Sequence, residues 1–159
     1  MASIQKTADA AAKGAAADRQ TAMGVLAKAS RVELQAAFDA LDNKPAVQPV
    51  RGPETGLVMV RGRIGGGGAP FNLGETTVSR ASIRLDDGTV GHGQALGTDG
   101  AKARLAAIFD ALFQQPAHKA AAATLLDAVT ARVAKEDAEK ARQTAATRVD
   151  FFTMVRGED

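Results

Sequence analysis

Leu57-Val58-Met59-Val60-Arg61-Gly62-Arg63-Ile64 and, after a run of glycines, Thr76-Thr77-Val78-Ser79-Arg80-Ala81-Ser82-Ile83-Arg84-Leu85 decide the fold. In the first stretch Val58, Val60, Gly62 and Ile64 fall on one face, and Leu57, Met59, Arg61 and Arg63 on the other. In the second, Ser79, Ala81, Ile83 and Leu85 alternate with Val78, Arg80, Ser82 and Arg84. A period of two in segments rich in Val, Thr and Ile predicts strands. Asp86-Asp87-Gly88 follows and reads as a tight hairpin, because glycine tolerates the positive φ such a turn demands. It leads into a further strand, Thr89 to Leu96. The economical arrangement is an antiparallel sheet of three to four strands.

Outward from this centre the pattern turns helical. On the N-terminal side, Met23, Val25 and Leu26 form a short apolar stripe, and Leu34, Ala37, Phe38 and Leu41 a second. Between them Ser30-Arg31-Val32-Glu33 has the spacing of a capping box. The second helix stops before Lys44-Pro45, since the residue preceding proline disfavours the α region. On the C-terminal side, Thr98 or Asp99 caps a helix whose apolar stripe is Leu105, Ile108, Phe109, Leu112 and Phe113. Pro116 breaks it. A longer helix carries Leu125, Leu126, Val129 and Val133, and beyond Lys135 it loses its large apolar groups, so that part projects into solvent or lies on a partner.

The expected class is therefore α+β: an antiparallel sheet flanked by helices, with an extended C-terminal segment. Residues 1–17 form an alanine-rich arm, frayed or disordered; residues 18–146 form the domain; residues 147–159 dock on a partner. The docking expectation rests on Phe151, Phe152, Met154 and Arg156, since paired Phe crowded into an exposed tail would invite aggregation.

Composition narrows the function. Twenty Lys and Arg stand against 18 Asp and Glu, too even a balance to imply nucleic acid. There is no Tyr or Trp to stack on bases. With no cysteine, the chain has no thiol nucleophile and no cysteine ligand for zinc or iron–sulfur. Two histidines separated in sequence, His92 and His118, make a poor metal site. No stretch approaches the roughly 20 apolar residues of a membrane span. The start of the chain lacks the apolar block of a secretory signal, so a soluble cytoplasmic protein is expected.

Two features could meet a ligand or a partner. Gly65, Gly66, Gly67 and Gly68 resemble a phosphate cradle, but Ala69-Pro70-Phe71-Asn72 follows where a P-loop needs Gly-Lys-Ser/Thr opening a helix. A flexible hairpin loop fits better, although four adjacent glycines hint at a close backbone approach. The second feature is arginine on strands. Arg61, Arg63, Arg80 and Arg84 would project from one sheet surface if their strands pair in the expected register, and guanidinium groups suit bidentate contact with carboxylate or phosphate. Such a face is solvated, or it meets a partner's acidic surface or a phosphorylated ligand. No nucleophile–base–orienter constellation is visible, so no catalytic residue is assigned.

Glu54–Gly68, reading ETGLVMVRGRIGGGG, its continuation Ala69–Ala81, reading APFNLGETTVSRA, and the tail Arg148–Gly157, reading RVDFFTMVRG, closely resemble the PhnG family. The likeness runs from about Asp18 to the end and thins across 117–146. The resemblance implies a core subunit of the carbon–phosphorus lyase system of organophosphonate catabolism. Its implied partners are PhnI, PhnH and PhnJ, together with the ABC-type ATPase-like PhnL and PhnK. The implied step moves an alkylphosphonate to the ribose C1 of ATP with release of adenine; the nucleosidase role is ascribed to PhnI. Later radical cleavage, with S-adenosylmethionine and an iron–sulfur cluster, is ascribed to PhnJ. The resemblance transfers no catalytic residue to this chain. An organising role follows as the expectation; the alternative is a phosphate- or nucleotide-binding subunit whose arginines act in the transfer.

Overall fold

The structure is a computed structural model in which residues 18–147 are described. Ser30 and Glu33 close the capping box as expected: the Glu33 N–H donates to Ser30 Oγ at 3.2 Å, and the Ser30 N–H to Glu33 Oε2 at 2.7 Å. The box separates α1, over residues 18–28, from α2, Arg31–Asp39. Strand β1 is Val47–Arg63, β2 is Pro70–Leu85 and β3 is Val90–Leu96. Helix α3 is Gly100–Gln114, capped by Asp99, whose carboxylate accepts from the Lys102 N–H at 2.9 Å. Helix α4 is Lys119–Ala146.

The strands form one antiparallel meander in the order β1-β2-β3, within the expected range. At Asp86-Asp87-Gly88 the chain turns with Gly88 at φ 89°, and the Thr89 N–H donates to Asp87 Oδ1. Both strands of the first hairpin are longer than their alternation alone suggests. β1 begins ten residues before Leu57 and β2 begins at Pro70, while Ile64 falls in a 3₁₀ turn, Ile64–Gly66. Two register shifts, between Pro49 and Arg51 and between Arg51 and Glu54, interrupt β1. Gly52 lies there at φ 69°, followed by a cis peptide bond to Pro53.

Helix α3 is the centre of the molecule. Leu105, Ala106, Ala107, Ile108, Phe109, Asp110, Ala111 and Leu112 are all buried, because one side of the helix lies on the sheet and the other meets α2 and α4. The sheet contributes Ala81, Ile83, Leu85 and Ala95 to this core, and the helices Leu26, Leu34, Leu125 and Val129. Each Leu, Ile or Val side chain among these stabilises the fold by about 1.5–3 kcal/mol when fully buried. Gly91 and Gly93 set how closely α3 approaches. A Cβ at Gly91 would stand 2.0 Å from the Ala107 carbonyl oxygen, and one at Gly93 2.1 Å from that of Ala103. These two glycines are notches for the helix backbone.

Charged side chains fasten the outer helices. Arg132 of α4 donates from Nε to Glu33 Oε1 at 2.7 Å and from Nη2 to the Lys28 carbonyl at 3.0 Å, so one guanidinium joins α4 to both N-terminal helices. Hydrogen bonding from Arg132 is the main reason the Glu33 carboxyl falls from 4.5 to about 2. A carboxylate depressed in the folded state stabilises it above the unfolded value near 4.5, and that gain is lost as pH falls from there towards 2. Glu33→Gln can keep the capping box but not the ion pair. It is expected to cost about 1 kcal/mol at neutral pH, the pair being partly exposed, and almost nothing by about pH 2. Urea unfolding of both proteins at the two pH values checks this; a gap that persists in acid would count against it.

Candidate functional site

The sheet leaves two surfaces bare, the face turned away from α3 and the outer end of its first hairpin. Beyond Thr55 and Ser79, whose hydroxyls meet at 3.0 Å over the core, β1 and β2 continue as a two-stranded ribbon past the cover of α3. Leu57 and Met59 prolong the row that faces the core nearer the base; Val58 and Val60 prolong the opposite row. The ribbon's large apolar side chains are exposed on both sides: Leu57 is 64% exposed, Leu73 66% and Ile64 76%, with Met59, Val58 and Phe71 also open. A two-stranded hairpin is marginal on its own in water, and this one hides little of its apolar surface.

Gly65, Gly66, Gly67 and Gly68 sit at the tip of that ribbon. Gly65 and Gly66 adopt φ of 60° and 77°, and a Cβ on either would meet nothing within 4 Å. Only Gly68 is crowded, by the Ile64 carbonyl oxygen of its own turn. Its glycines therefore serve the turn's own geometry.

The four arginines are distributed along the hairpin. Arg80 faces Glu54 and Gln94, and Arg84 faces Gln48 and Val90, on the side of the sheet away from α3. Arg61 and Arg63 stand opposite Asn72 and Pro70, beyond a further register shift. Eight residues of strand from Asn72 to Arg80 span about 26 Å, so the structure brings the arginines together as two separate pairs. Arg63 donates to the Gly68 carbonyl at 2.9 Å and steadies the tip. Phe151, Phe152, Met154 and Arg156 lie outside the described residues.

On the bare sheet face Arg80 is joined by Glu54 and His92, and by Arg51, Ser82 and Gln94, which the sequence does not single out. The register shifts in β1 put both Arg51 and Glu54 on it. Arg51 stands opposite Ser82, which stands opposite His92; Glu54 stands opposite Arg80, which stands opposite Gln94. Arg80 Nε and Arg51 Nε both reach Glu54 Oε1, at 2.6 and 2.8 Å. Their attraction, Arg80 foremost, holds the Glu54 carboxyl below its usual range. Ser82 Oγ and His92 Nδ1 lie 2.8 Å apart. Among the described residues no carboxylate orients this imidazole, so no triad forms among them. Among the described residues no group of three or more His, Asp or Glu side chains could hold a metal ion, and no helix is long and apolar enough to cross a membrane.

On the opposite side of β3 a buried carboxylate does structural work. Asp110 accepts from Arg19 Nε at 2.8 Å, from Arg19 Nη2 at 2.7 Å and from the His92 N–H at 2.8 Å. It thereby ties α1, α3 and the free edge of the sheet. The Val90 carbonyl on that edge accepts from Gln114 Nε2. Covering edge groups in this way blunts strand pairing with other chains at the start of β3.

These features describe an α+β domain with a bare sheet face and an apolar ribbon, and no bond-breaking constellation is formed among its described residues. The chain belongs to the PhnG family: the family model described as phosphonate metabolism protein PhnG matches residues 17–157. It is 68% identical over 143 residues to the alpha-D-ribose 1-methylphosphonate 5-triphosphate synthase subunit PhnG of Rhizobium meliloti strain 1021, a match covering 90% of this chain and 92% of that one.

Proposed function

We propose that this chain is an organising subunit of a ribose 1-methylphosphonate 5-triphosphate synthase, in which other subunits carry out the transfer of alkylphosphonate to the ribose C1 of ATP. The observation that carries this reading is the ribbon, whose Leu57, Met59, Leu73 and Ile64 lie open to water. Apolar surface of this kind marks a protein interface. The relative's name, which calls it a subunit of that synthase, supports the same reading. The companions are PhnI, PhnH and PhnJ, with PhnL and PhnK acting on the assembly; the iron–sulfur and S-adenosylmethionine chemistry belongs to PhnJ. Arg61 and Arg63 rim the ribbon's contact, and Phe151, Phe152, Met154 and Arg156 make a second. ATP is a substrate of the assembly.

Co-expression of the tagged chain with PhnH, PhnI and PhnJ tests the ribbon. Leu57→Ser, Met59→Ser and Leu73→Ser together are expected to cut partner recovery about tenfold or more, as removal of central interface residues does. Because these side chains are exposed in the isolated chain, its circular dichroism and melting temperature should stay near those of the parent. Undiminished recovery would remove the ribbon from the interface. Adenine release from ATP and methylphosphonate should require the assembly and be absent with the chain alone.

A further inference from the structure

We propose that Arg51, Arg80, Ser82, His92 and Gln94, set in two adjacent cross-strand rows on the bare face of the sheet, form a binding site for one phosphoryl or phosphonyl oxyanion. The rows are Arg51–Ser82–His92 and Glu54–Arg80–Gln94, each running across all three strands. A cleft of about 290 Å³ lies between them, lined by those five side chains with Ala81 and Gly93.

Charge is the first argument. Two guanidinium groups share a single carboxylate oxygen, Glu54 Oε1, so the cluster keeps one positive charge uncompensated. Both arginines engage Glu54 through Nε, and among the described residues neither uses its Nη groups in a hydrogen bond. Those paired N–H groups are the ones that grip phosphate oxygens most effectively.

The Ser82–His92 contact is the second argument. Whichever tautomer is present, the pair keeps one donor for an anion. If the serine hydroxyl donates to Nδ1, Nε2–H is left over; if Nδ1–H donates to Oγ, the hydroxyl proton is left over. The Gln94 amide adds another donor from the second row.

Geometry is the third. Neighbouring residues across a sheet lie about 5 Å apart, and same-face residues along a strand about 7 Å. A tetrahedral oxyanion with donors about 2.8 Å from its oxygens spans roughly 7 Å from donor to donor. A group of that size fits between the rows and meets donors from both. A planar carboxylate offers two oxygens and reaches fewer of them. The site is independent of the ribbon and of the subunit reading, since it needs only this chain's own sheet.

Calorimetric titration of the full chain at low salt, with inorganic phosphate and with methylphosphonate, tests the site, and acetate serves as the planar control. Phosphate is expected to bind with Kd on the order of 1 mM or tighter, and acetate more weakly. Arg80→Gln should weaken phosphate binding about tenfold, the loss expected for one charge-assisted contact. Glu54→Gln should tighten it several-fold, because it removes the competing carboxylate; a merely structural Glu54 would not produce that sign. Ser82→Ala, a small change at a half-buried position outside the core, should weaken binding with little effect on the melt. Binding of methylphosphonate as well as phosphate points to recognition of the shared PO₃ head, and binding of phosphate alone restricts the site to phosphate itself. Three results would each overturn the proposal: neither phosphorus compound binds, Arg80→Gln and Glu54→Gln both leave affinity unchanged, or acetate binds as tightly as phosphate.

Discussion

Asp110→Ala is expected to lower the stability of this protein by about 3–5 kcal/mol, the range for removing one partner of a buried ion pair. The carboxylate is completely buried and accepts three N–H groups, two from Arg19 and one from the backbone of His92. Alanine would leave the Arg19 guanidinium, one-third exposed, without its counter-ion, and the His92 N–H at the sheet edge without an acceptor. The second loss matters because an unpaired buried polar group costs about 1–3 kcal/mol by itself. Asp110→Asn keeps one acceptor oxygen but turns an NH₂ towards Arg19, so it should fall between alanine and the parent. Arg19→Ala should cost at least as much as Asp110→Ala, since it strands the buried Asp110 carboxylate, which cannot reach water, whereas a stranded Arg19 can partly solvate. Urea unfolding of the full chain measures all three. A loss below about 1 kcal/mol for Asp110→Ala would place the carboxylate in contact with water.

Nothing in the sequence marks that pin, because Arg19 and Asp110 are 91 residues apart and Asp110 sits inside the apolar, buried stretch of α3. Local chemistry was legible where neighbours in sequence interact. Ser30 and Glu33 close their box, Asp99 caps α3, and Asp86-Asp87-Gly88 turns the hairpin, each within four residues. Alternation along 79–85 likewise names the buried row Ser79, Ala81, Ile83 and Leu85. Alternation cannot say where helical cover stops, and so it does not tell the ribbon's bare apolar rows from a buried one. Nor can it register β1 through Gly52 and Pro53, where the shifts bring Arg51 and Glu54 to one face. Alternation also does not show that the length of the hairpin sets Arg61 and Arg63 apart from Arg80 and Arg84. The reason His92 has glycine neighbours is not legible either: they face the other side of the sheet.

That reason gives the second large effect. Gly93→Ala is expected to destabilise the protein by about 3 kcal/mol, the upper part of the range for forcing a methyl group into a filled interior. The added Cβ would stand 2.1 Å from the Ala103 oxygen and 2.4 Å from the Ala107 nitrogen. Both are backbone atoms of α3, so no side-chain rotation relieves the clash; the helix must lift by an ångström or more. Lifting it opens the contacts that Ile108, Phe109 and Leu112 make with the core, and strains the Asp110 link to His92 on the same interface. Gly93→Ala and Asp110→Ala should therefore be non-additive, because the first already weakens what the second removes. Gly74→Ala is the control: it lies in the ribbon with nothing within 4 Å of the new Cβ, and should change stability by no more than about 0.5 kcal/mol. Thermal melts separate the two, with a drop of roughly 10 °C for Gly93→Ala. Equal melting temperatures for the two variants would mean that α3 does not rest in the notches of β3, and the bare face of the sheet would then lose the rigid backing that holds Ser82 opposite His92.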